Sequence, residues 1–196
     1  MSDQFLNSKT QLLFAKSLHD IAAPLGALNL CIEDLQKALP ESADLIENSI
    51  ELLSKLTNYW RVMMTGSELF PNFADAATAI RTLTKLKSIE CTLKPANEYQ
   101  GTYVRLLLAL SMVAIESLPR GGQISVDADN GIVTAQGPKC YIHKDTQDAI
   151  IDDSELDKLS SRHALGLLIN TWSKTCNSSV KLEHEPTKLS FVLQRQ

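Results

Sequence analysis

Phe14-Ala15-Lys16-Ser17-Leu18-His19-Asp20-Ile21-Ala22-Ala23-Pro24-Leu25-Gly26 opens a strict apolar rhythm. From Phe14 the apolar residues recur at Leu18, Ile21, Leu25, Leu28, Ile32, Leu35 and Leu39, in steps that alternate four and three. That is a heptad stripe, and it predicts one helix of about 26 residues, about 39 Å long. Pro24 lies inside it, removes one backbone hydrogen bond and is expected to bend it. His19 stands one position off the stripe, so its imidazole is expected to project from the packed seam into solvent.

The neighbours of His19 give that position chemical content. Ala15, Ala22, Ala23 and Gly26 share its face, together with Leu12, and those around the ring are small. Small side chains beside an exposed imidazole let another protein come close without a clash. Asp20 follows directly, and a carboxylate near one ring nitrogen fixes the tautomer and leaves the other nitrogen free as a nucleophile. Lys16, one turn earlier, can offer positive charge to phosphoryl oxygens. The plain alternative is a solvated surface histidine, and a His-Asp pair alone does not exclude it.

Pro40 and Glu41-Ser42 end this helix and start another, expected from about Ser42 to Thr65. It carries two stripes, Leu45, Leu52, Leu56, Tyr59, Met63 and Ile46, Ile50, Leu53, Trp60, Met64. One partner helix cannot cover so wide an apolar face, so two hairpins meeting in a four-helix bundle, a homodimer, are expected. Tyr59 and Trp60, at helical spacing, read as core or bundle-end residues rather than as a binding box.

Gly66 to Asn72 reads as a linker, and the pattern then alternates. Ala74–Leu86, Thr102–Leu118 and Leu159–Cys176 read as helices, and Ile89–Leu93 as a short strand. Gln123–Asp129 and Ile132–Gln136 read as strands around Asn130-Gly131, a strong hairpin signal, with Arg120-Gly121-Gly122 as the turn before them. Gly137–Ile142 is expected to add a strand, and Ser179–His184 with Lys188–Leu193 a last hairpin around Glu185-Pro186-Thr187. Helices on one face of a mostly antiparallel sheet make an α+β sandwich. The expected division is a helical hairpin over residues 1–68 and an α+β domain over residues 69–196.

Composition narrows the partners. The 196 residues carry a net charge of −4 with both signs dispersed, so no nucleic-acid partner is expected. No apolar run reaches the length of a membrane span; Val104 to Ile115 is interrupted by Arg105 and Ser111. The start Met-Ser-Asp-Gln-Phe lacks the features of a signal peptide, so a cytoplasmic protein with no membrane partner is expected. Cys31, Cys91, Cys140 and Cys176 form no C-x-x-C pair and read as small buried thiols. His143, His163 and His184 have no metal-ligand spacing with one another or with the cysteines, so no metal site is expected.

His19, Asp20, Pro24 and Leu25 match the pattern of the dimerisation helix of sensor histidine kinases, in which a phosphorylated His precedes an acid, with a Pro and a Leu beyond. With Leu118-Pro119-Arg120-Gly121-Gly122 and Ala135-Gln136-Gly137-Pro138, the chain resembles the ChpT-type histidine phosphotransferases of alphaproteobacteria. The resemblance spans essentially the whole chain. It implies a dimeric four-helix bundle followed by a degenerate kinase ATP-binding (Bergerat) fold. It implies a phosphoryl group carried on His19, with Asp20 orienting it and Lys16 assisting. Ala15, Ala22, Ala23 and Gly26 would form the docking surface. The expected partners are response-regulator receivers and the receiver of a hybrid histidine kinase. The implied protein has no cofactor of its own, and magnesium belongs to the partner receiver.

The chain departs from the kinase pattern where a kinase holds its nucleotide. The helix Thr102–Leu118 has no asparagine, and Ala135-Gln136-Gly137-Pro138 stands where an Asp-x-Gly-x-Gly motif is expected. No Gly-rich lid precedes Leu165-Gly166-Leu167. Magnesium nucleotides need oxygen ligands and close backbone approach to the phosphates, so nucleotide binding is expected to be lost and the second domain to serve as a docking surface. Ala23 stands where many kinases carry a Thr or Asn that orients a hydrolytic water, so slow hydrolysis of the carried phosphate is expected. Two other readings remain: an adaptor that binds receivers or kinases without carrying phosphate, and a kinase with unusual nucleotide contacts. A metal-dependent phosphohydrolase would need further histidines on the first helices, and there are none.

Overall fold

The computed structural model describes Ser17, Asp20, Ile21, Pro24, Ala27, Leu28 and residues 40–64, 72–94, 101–152 and 163–195. The six early residues are all helical, and Pro24 among them is buried. The element order is then α1 (Pro40–Met64), α2 (Phe73–Leu86), β1 (Ile89–Lys94), α3 (Thr102–Glu116), β2 (Gly122–Asp127), β3 (Ile132–Gln136), α4 (Lys144–Ile151), α5 (His163–Thr175), β4 (Ser178–Glu185) and β5 (Lys188–Arg195). No helix among the described residues is long and apolar enough to cross a membrane.

Helix boundaries follow local chemistry. The Asn72 side chain accepts the Asp75 N–H at 2.9 Å and caps α2, while Asp75 adds a negative charge to its first turn. Phe73, Ala76, Ala77, Ile80, Leu83 and Thr84 then bury one face at helical spacing. Ser88 (φ 52°) and Asn177 (φ 50°) take the left-handed conformation just past α2 and α5, which turns the chain into β1 and β4.

The strands form one sheet in the order β1-β2-β3-β5-β4. β1 pairs parallel with β2 across the α3 connection, and all other neighbours are antiparallel. Ile124, Val126, Val133, Ala135, Leu189, Phe191 and Leu193 are buried, while Gln123, Ser125 and Gln136, of the opposite parity, are exposed. That period-two pattern is a sheet covered on one face. α3 is the central helix of the covering layer: every residue from Leu106 to Ile115 is buried.

One local expectation is corrected, and one element was not foreseen. Gly137–Ile142 forms no strand, because its N–H groups go to scattered acceptors. Gly137 N bonds Thr187 O at 3.0 Å, Cys140 N bonds Pro186 O at 2.8 Å and Tyr141 N bonds Ser117 O at 2.9 Å. Pro138 has no N–H to give a ladder. The helix α4 was not legible in sequence, because only Ala149 and Ile150 of its residues are buried.

α1 divides into unlike halves. Leu45 and Ile50 are 55% and 51% exposed, whereas Leu56, Tyr59, Trp60 and Met63 sit in the core with residues of α2 and α3. Helices α2 and α3 therefore cover part of the wide face that the sequence assigned to partner helices. The linker expected at Gly66–Asn72 lies outside the described residues except for Asn72.

Candidate functional site

Of the residues assigned to phosphoryl transfer, His19 and Lys16 lie outside the described residues, as do Ala15, Ala22, Ala23 and Gly26. Asp20 is described: it is helical and half-buried. Ser17 and Ile21, three before and one after it, are likewise helical and half-buried. An acid on a partly covered helical surface can remain in contact with water and still bear on a neighbouring side chain.

The second arm, α1, carries local polar support along its open half. Ser49 donates its hydroxyl to Leu45 O at 2.8 Å, and Lys55 pairs with Glu51 one turn away. Farther on, Tyr59 is fully buried and its hydroxyl donates to Leu108 O of α3 at 2.7 Å. Burial, with lesser contributions from Glu116 and Cys91, pushes the Tyr59 phenol well above its ordinary range, so the donor keeps its proton at neutral pH. The sequence placed Tyr59 in a packed role but carried no signal of its partner 49 residues away.

The elements that the sequence sets against a kinase's nucleotide motifs are α3, the chain after β3, and α5. Ser111 is the polar side chain within the buried run of α3, and its hydroxyl goes to Leu107 O at 2.7 Å. A Cβ on Gly137 would lie 2.6 Å from Gly121 O and 2.9 Å from Leu118 Cδ2. A Cβ on Gly122 would strike Gln136 O and lie 2.9 Å from Gly137 Cα. Thus Leu118-Pro119-Arg120-Gly121-Gly122 and Ala135-Gln136-Gly137-Pro138, at the open end of the β2–β3 hairpin, close on each other backbone to backbone. Their glycines admit neighbouring chain at that contact.

α4 and α5 also pack tightly. A Cβ on Gly166 would meet Thr146 O at 2.6 Å and Ala149 Cβ at 2.8 Å. Asn170 donates from Nδ2 to Ile150 O at 2.9 Å, tying α5 to the end of α4, while its Oδ1 is buried without a partner. His143 lies 3.8 Å from Asp145 and edge-on to Tyr141, and His184 Nε2 lies 3.3 Å from Cys140 O. Among the described residues no group of three or more His, Cys, Asp or Glu side chains is gathered as for a metal ion. Cys91, Cys140 and Cys176 are free, and burial raises each thiol, which lowers its reactivity.

Residues 73–188, more than half of the chain, match the model of a family described as the histidine phosphotransferase C-terminal domain. No curated protein matches the chain. Among solved structures, a bacterial phosphotransferase superposes with a TM-score of 0.83 at 17% identity, covering 95% of this chain and 96% of that one. At that identity the likeness speaks for the fold. The histidine kinase AdeS of Acinetobacter baumannii aligns with a TM-score of 0.46 at 15% identity, over 91% of this chain and 97% of that one. Full-length ShkA in complex with AMPPNP aligns with a TM-score of 0.41 at 17% identity, over 94% of this chain and 45% of that one.

Proposed function

This chain belongs to the histidine phosphotransferase family through its C-terminal domain, and from that premise we propose that it relays a phosphoryl group between receiver domains on His19. The observation that carries the proposal is the pairing of that family domain with the preceding pattern His19-Asp20 and Pro24-Leu25.

In the proposed reaction a phospho-aspartate on a receiver meets a neutral His19. The unprotonated ring nitrogen attacks phosphorus in line. The bond from phosphorus to the aspartyl oxygen breaks, and the carboxylate leaves with the electron pair. The imidazole keeps its other N–H, which Asp20 orients, so the positive charge formed on the ring has a nearby counter-charge. Lys16 supplies positive charge for the phosphoryl oxygens, and the receiver's own magnesium neutralises charge there. A second receiver takes the group by the reverse route. The work is positioning and charge stabilisation. Ala23 has no group to hold a hydrolytic water, which favours transfer over loss.

The same proposal excludes an ATP-dependent kinase. The buried run of α3 offers no accessible side-chain oxygen to magnesium, since Ser111, its one side-chain oxygen, is fully buried. The Gly137 turn is filled by the Gly121-Gly122 backbone. These residues do not fit a magnesium nucleotide as that ligand is ordinarily held. We further propose that the hairpin pairs with a second copy through the open half of α1, where Leu45 and Ile50 are exposed, and that the relay operates in the cytoplasm.

The test is a transfer assay between two receivers, the first carrying labelled phospho-aspartate. Label is expected on the second only when this chain is present, and none on this chain from labelled ATP alone. Transfer that persists with His19→Ala would leave the adaptor reading in its place.

A further inference from the structure

Tyr59 is fully buried although it carries a hydroxyl and stands on the arm that the sequence assigns to the hairpin. Its neighbours along the helix, Leu56, Trp60 and Met63, belong to the same core as Ile80 and Leu83 of α2 and Leu107 of α3. The hydroxyl reaches Leu108 O at 2.7 Å, inside the central helix of the sheet domain. A helix carbonyl has a second lone pair, so the bond adds to the α3 ladder without displacing it. The bond lies where α1 comes alongside α3; farther toward its start, Ile50 is 51% exposed.

We infer that the last turns of α1 and the sheet domain move as one body, fastened by the Tyr59 hydroxyl on Leu108, so that the sheet domain does not swing on the segment joining α1 to α2. A packed core shared between two elements opens cooperatively, whereas a tethered domain opens by itself. The purpose rests on the function proposed above: an anchored sheet domain keeps its place while receivers come and go, and no interdomain freedom is lost at each encounter.

Hydrogen exchange on the full chain tests this without any phosphoryl donor, so its failure is separate from a failure of His19 to accept phosphate. The slowest amides of Leu56–Met63 and of Leu106–Ile115 are expected to exchange with one common opening equilibrium. Tyr59→Phe keeps the ring and removes the hydroxyl, and it is expected to accelerate both sets by about fivefold, the effect of one lost buried hydrogen bond. Amides of Leu56–Met63 that exchange more than about tenfold faster than those of α3 in the unaltered protein overturn the inference, because sub-global opening then lies well below global. An acceleration confined to one helix, or absent from both, overturns it as well.

Discussion

A methyl group at position 137 would meet Gly121 O and Leu118 Cδ2 well inside van der Waals contact. Backbone on one side and a packed leucine on the other leave little room to give. Gly137→Ala is therefore expected to cost about 1–3 kcal/mol, as overpacking does, read as a lower urea midpoint at unchanged slope. An unchanged midpoint would mean that the two turns do not close on each other. This contact also explains why the glycine stretches around 121 and 137 stood out in the sequence, and it continues the β2–β3 register, in which Gln123 faces Gln136. His19 and Asp20 were proposed from residue type, which carries chemistry, and His19 lies outside the described residues. Helical spacing alone sets the expectation that Ala15, Ala22, Ala23 and Gly26 share its face. Tyr59 shows where such reading stops: its burial followed from apolar spacing, but its partner at Leu108 depends on how α1 meets α3.

At the scale of elements, the hairpin β2–β3 depends on Asp127. Its carboxylate accepts the Asn130 N–H at 3.1 Å and pairs with Lys94 of β1 at 3.1 Å. The Asn130 side chain and Lys94 hold the Asp127 carboxyl below its ordinary range. A depressed carboxyl stabilises the fold above its unfolded value, about 3.9, and that contribution is lost as pH falls through the lower folded value. The amide resonance of Asn130 is expected to titrate with a midpoint below about 3.9 and to lose that titration in Asp127→Asn. A midpoint at or above that value would contradict the assignment. Both hairpins were legible, because Asn130-Gly131 and Pro186-Thr187 interrupt β-rich runs. α4 was not, since a helix of 8 residues that buries only Ala149 and Ile150 shows no stripe. The expected strand at 137–142 failed because its donors bond Thr187, Pro186 and Ser117 rather than one neighbouring strand.

At the scale of the whole molecule, the apolar face of α1 is shared between the sheet domain and the open half bearing Leu45 and Ile50. If that open half is the dimer surface, Leu45→Lys with Ile50→Glu is expected to halve the sedimenting mass, from twice the 21.6 kDa chain to a single one, with the sheet domain still folded. A single-chain mass in the unaltered protein would remove the bundle from the account. The fold class was legible because helix and strand periods differ along residues 73–195, and the packing of α1 onto α3 was not, because apolar spacing does not name its partner. The most direct measurement is to incubate the full chain with a receiver carrying labelled phospho-aspartate and to follow the label. The account predicts rapid label on this chain, stable to base and labile to acid, mapped to His19 and abolished in His19→Gln. A chain that stays unlabelled, or one that is labelled equally in His19→Gln, would contradict it.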